Sequence, residues 1–63
     1  MARFELTHNP TENVFRLVTF GKNEDTGNLF VNSVFEHENQ ETVIRLARKH
    51  CPQLKSIRIK RVS

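Results

Sequence analysis

The chain has 63 residues, 37% of them hydrophobic, and a formal net charge of +3. A chain this short buries only about 60% of the surface its unfolded form exposes, which excludes a second domain and a deep, walled active site. The lone Cys51 excludes an internal disulfide framework and points to a reducing, cytoplasmic setting. No apolar run approaches the roughly 18–20 residues that cross a bilayer, and the start Met1–Thr7 lacks the apolar stretch of a signal peptide, so neither a membrane span nor secretion is expected.

Residues 2–8 alternate with period two, placing Phe4 and Leu6 on one side and Arg3, Glu5 and Thr7 on the other, the pattern of a half-buried strand. The Asn9-Pro10 pair then predicts a turn through Asn13, because proline presets its own φ and biases Asn9 away from helix. Residues 14–20 and 29–35 are rich in β-branched and aromatic side chains and read as two further strands. The polar stretch 21–28 between them, with Gly21 and Gly27, reads as an exposed hairpin loop.

The period then changes. Val43, Leu46, Ala47, His50 and Cys51 recur at three- and four-residue spacing, which predicts an amphipathic helix over about 39–51. Asn39 suits its N-cap, Glu41 complements the positive end of the helix dipole, and Pro52 stops it. Alternation returns over 54–62, with Ile57 and Ile59 facing in and Ser56, Arg58 and Lys60 facing out, as in a last strand. The expected fold is therefore a single α+β domain over residues 1–63 with element order βββαβ. A right-handed crossover would lay the last strand parallel beside the first, in sheet order 4-1-2-3, with the helix on one face.

One helix covers only one face. In strand two, Phe15 and Leu17 oppose Val14, Arg16, Val18 and Phe20; in strand three, Leu29, Val31 and Phe35 oppose Phe30 and Val34. Strict alternation thus leaves an apolar second face, and Arg16, Val18, Phe20 and Phe30 are its candidate interaction residues. A homodimer through that face is the simplest way to cover it, and pairing along an exposed strand edge is a second route to a partner or another copy.

The charge is segregated: all seven acidic residues lie in positions 1–41, whereas seven of the ten basic residues lie from Arg45 onward. Clustered cations attract polyanions, so Arg45, Arg48, Lys49, Lys55, Arg58, Lys60 and Arg61 are the candidate nucleic-acid contacts of a small, non-enzymatic binding module. Two plainer roles compete. Cations in a last helical turn complement the dipole, and cations on a terminal strand blunt an edge against aggregation. Phenylalanines on a basic sheet face would stack single-stranded bases, although core packing is the commoner use of the residue.

The alternative function is protein interaction, as a small regulator or inhibitor of a larger complex or as a homodimer. No metal or other cofactor is expected, because His8, His37, His50 and Cys51 form no recognised ligand spacing. No catalytic residue is expected either. Cys51 beside His50 could serve as a nucleophile, but its place on the apolar helical stripe suits a buried structural thiol.

Overall fold

The computed structural model describes residues 3–62, so Ala2, expected in the first strand, lies outside the described residues. Three strands, β1 (Arg3–Asn9), β2 (Val14–Lys22) and β3 (Leu29–His37), form an antiparallel meander in the order β1-β2-β3. Both of its turns use one device. Asn9 Oδ1 accepts from the backbone N–H groups of Thr11 and Glu12 at 3.0 and 3.2 Å, and Asn13, four residues on, sits at φ 56°. Asn23 Oδ1 accepts from Asp25 and Thr26 at 2.9 and 3.2 Å, and Gly27, again four residues on, sits at φ 76°. Asparagine side chains close such turns locally, and Asn or Gly tolerates the left-handed backbone that re-enters the next strand.

Cross-strand register sets Leu17 between Leu6 and Phe35, and Thr19 between Phe4 and Ser33. The Thr19 and Ser33 hydroxyls are hydrogen-bonded to each other. At the next residue the register slips: Phe20 opposes Val31, leaving Asn32 as the extra residue of a β-bulge. The slip reverses the phase of the start of β3. Val31 joins Val34 on the side away from the helix, and Phe30 moves to the opposite side, where it faces Gly21. Strict alternation had paired Val31 with Phe35 and Phe30 with Val34, and the bulge overturns both placements. The Phe30 ring packs directly over Gly21, so a Cβ at that position would force the ring to move aside.

The helix α1 (Gln40–His50) is capped by Asn39, whose Oδ1 accepts from the Thr42 N–H at 3.0 Å. It ends where the Cys51 N–H donates to the Ala47 carbonyl at 2.8 Å and Pro52 begins a 3-10 helix, Pro52–Ser56. The helix lies over β2 and β3. Its buried residues are Val43, Ile44 and Ala47, whereas Leu46 is half-buried and His50 is exposed, stacked on Phe35 at 5.7 Å between ring centroids. The buried stripe is thus turned towards Ile44, because the helix packs on two sides, one against the sheet and one against the C-terminal segment.

That segment is where the expected architecture changes. Residues 54–62 form no fourth strand: 52–56 are the 3-10 helix, and 57–62 join no ladder among the described residues, so the βββαβ order and the 4-1-2-3 sheet are not observed. The chain instead runs back beside the helix. Ile57 O accepts from Arg48 Nη2 at 3.3 Å, Arg61 pairs with Glu41, and the Val62 N–H donates to Gln40 Oε1 at 2.7 Å. Alternation in 57–60 does report an extended chain, with Ile59 buried and Arg58 and Lys60 exposed. Period two is shared by any extended segment with one buried side, whatever its backbone pairs with.

The core is the cluster Leu17, Val43, Ile44, Ala47, Leu54 and Ile59, flanked by Phe4, Leu6, Phe15, Phe35 and Ile57. It sits between the sheet on one side and the helix and C-terminal segment on the other. The shortest dimension of the molecule, 17 Å, has room for these two layers and no third. Each fully buried Leu or Ile contributes about 1.5–3 kcal/mol, and two of the five largest buried residues, Leu54 and Ile59, come from beyond the helix.

Candidate nucleic-acid interface

The fold brings the seven predicted cations onto the helix side of the molecule by three separate routes. Arg45, Arg48 and Lys49 stand at i, i+3 and i+4 on α1, so they share a face. Burial of Leu54 turns the neighbouring Lys55 outward from the 3-10 helix. Burial of Ile59 does the same for Arg58 and Lys60 on the returning segment.

Two shallow grooves result. One, of about 580 Å³, is lined by Glu41, Ile44, Arg45, Arg48, Lys49 and Lys55. The other, of about 480 Å³, is lined by Arg58, Ile59, Lys60 and Arg61. The Glu41–Arg61 pair joins them, with Arg61 Nε and Nη2 donating to the two carboxylate oxygens at 2.8 and 2.9 Å. Arg61 Nη1 also donates to the Ile59 carbonyl at 3.0 Å. The hydrogen bond from Arg61 is the largest influence on the Glu41 carboxyl and, with the charges of Arg61 and Arg48, lowers it from its ordinary value against an opposing desolvation. The same pair raises the Arg61 guanidinium above its ordinary value.

The seven cations therefore differ in what they have left to offer. Arg61 is engaged by Glu41. Arg48 is half-buried, donates to the Ile57 carbonyl, and has its Nε buried without a partner, so it braces the returning segment. Arg45, Lys49, Lys55, Arg58 and Lys60 are exposed and have no salt-bridge partner among the described residues. No aromatic side chain lines either groove.

No protein family, curated protein or solved structure matches this chain. Its chemistry is therefore read from its own residues. Of the candidate interaction residues, Arg16, Val18 and Phe20 share the side of the sheet away from the helix, and Phe30 is separated from them by the bulge. Arg16 Nη2 donates to Glu36 Oε2 at 3.1 Å on that side.

A third concavity, of about 320 Å³, lies at the end of the sheet by Arg3, Thr19, Lys22 and Cys51. Cys51 Sγ lies 3.7 Å from Ser33 Oγ, while the neighbouring His50 ring rests on Phe35, so thiol and imidazole are engaged in different directions. Among the described residues, no three His, Cys, Asp or Glu side chains are grouped as metal ligands, and no helix is long and apolar enough to cross a membrane.

Sequence reasoning singled out the cations and missed their organisers. Gln40 and Glu41 hold the returning segment, and Ile44 and Ile59 make the floors of the two grooves. Glu41 was visible as a dipole partner at the helix start, but its pairing with a residue twenty positions away carries no local signal.

Proposed function

We propose that this chain is a non-enzymatic module that binds nucleic acid through its helix-side cations and reads the phosphate backbone. The carrying observation is the convergence of three elements on two joined grooves lined by all seven cations, five of them unpaired among the described residues. The cations stand in two groups, Lys55 of the 3-10 helix with the helix cations in one groove and Arg58, Lys60 and Arg61 in the other, a layout that suits phosphates of two strands better than one. Sequence-tolerant recognition of single strands draws on aromatic stacking, which these grooves lack, so double-helical nucleic acid is the preferred class. The cytoplasmic setting suggested by the lone Cys51 belongs to the same reading.

Five phosphate contacts set the salt dependence. The logarithmic slope is about −4.5 for a duplex and about −3.5 for a single strand, so duplex affinity falls about 500-fold between 50 and 200 mM salt. Fluorescence anisotropy with end-labelled duplexes of unrelated sequence checks this. We expect similar affinity for each sequence, weaker binding to the single strands, and a slope reduced by about two in Arg58→Glu/Lys60→Glu. Undiminished binding by that double variant overturns the assignment of the surface.

A further inference from the structure

The side of the sheet away from the helix carries a different chemistry. Cross-strand pairing arranges it in rows: Phe20 beside Val31, Val18 beside Val34, and Arg16 beside Glu36. Val31 and Val34 remain 59% and 48% exposed, and Leu29 beyond them 48%.

We infer that this face is an isologous interface with a second copy of the chain. A two-fold axis along the strand direction between β2 and β3 exchanges the two members of every row, so each residue meets its own cross-strand neighbour on the partner. Phe20 then lies over the second copy's Val31, Val18 over Val34, and Arg16 over Glu36. In these three rows apolar groups meet apolar groups and opposite charges meet, the self-complementarity a two-fold contact demands, while in the end row Lys22 lies over Leu29 and its long side chain can carry the ammonium past it to solvent. The aligned packing of two such sheets keeps the rows nearest the axis in register. Edge-to-edge pairing through β3 is disfavoured, because the bulge at Asn32 interrupts that edge. The dimer leaves both basic surfaces outward, so it is independent of the nucleic-acid reading.

Sedimentation equilibrium of the full chain tests the interface, with refractive-index detection because the chain has no Trp or Tyr. The expected result is a dimer at high micromolar concentration; a monomer up to millimolar concentration overturns the proposal. Val34→Asp is expected to give a monomer with an unchanged circular dichroism spectrum, and a dimer that persists in a folded Val34→Asp overturns the use of this face. The decisive arm does not depend on that variant. Glu36→Arg leaves two arginines in that row of each chain, and Arg16→Glu leaves two glutamates. Each alone should dimerise more weakly by about tenfold or more, whereas an equimolar mixture should restore association, since every charge crossing the interface is again opposite. The pair within one chain is broken in both variants, so only a contact between chains explains recovery. No recovery on mixing overturns the proposed register.

Discussion

Leu17 and Val18 are neighbours on β2 with opposite surroundings. Leu17 is fully buried under the helix, whereas Val18 faces away from it beside Val34, which is 48% exposed. Both sides of the strand carry large apolar groups, yet the chain supplies only one helix and one returning segment, and both lie on the same side. The core side is completed within one chain, whereas on the open side Val31 and Val34 stay 59% and 48% exposed.

The strongest way to break this comparison is truncation on each side of β2. Leu17→Ala should cost about 2–5 kcal/mol, the range for a fully buried leucine that leaves a cavity. Val18→Ala, measured by urea unfolding in dilute solution, should cost less than ~1 kcal/mol. An equal cost for both would mean that the open face is covered within the monomer. Ile59→Ala extends the test to the returning segment: it should approach the Leu17 value, at about 2–4 kcal/mol, because Ile59 is as buried as the helix residues although it belongs to no regular element. A loss below ~1 kcal/mol would show that the segment is not part of the core layer.

A smaller effect is expected at the helix start, where Asn39→Ala removes one side-chain acceptor and should cost about 1 kcal/mol in the same unfolding assay, with Asn39→Asp or Asn39→Ser largely retaining stability. The smallest concerns the Glu41–Arg61 ion pair on the helix side. Glu41 has its carboxyl lowered by Arg61, so the folded state binds its proton less readily than the unfolded chain. Its contribution is therefore present above the unfolded carboxylate pKa and is lost as pH falls through the lowered folded value. NMR titration of the Glu41 side chain should give a midpoint below that of an unfolded peptide, and Arg61→Gln should return it towards the ordinary range. An unchanged midpoint in Arg61→Gln would remove the link that joins the two grooves.

Much of this molecule is legible locally. The turn asparagines Asn9 and Asn23, the Asn39 cap and the stop at Pro52 act on backbone groups a few residues away, so residue type and position suffice to find them. The site is legible as a set, because its cations are contiguous in sequence from Arg45 onward. Which of them are spent is not legible: Arg48 and Arg61 are engaged by Ile57 and Glu41, partners set by the path of the returning segment. Phe30 shows the limit on the other face, since one inserted residue at Asn32 moves it across the sheet while the local pattern still alternates.

By itself the sequence determined three strands and a helix, the segregation of charge, and the presence of more apolar sheet surface than one helix can cover, because periodicity and composition act through neighbours along the chain. Only the tertiary structure decided the bulge, the pairing of Glu41 with Arg61, and the course of residues 57–62 beside the helix. Those depend on which distant backbone or side chain completes each hydrogen bond, and an extended segment has the same local period whatever it is packed against.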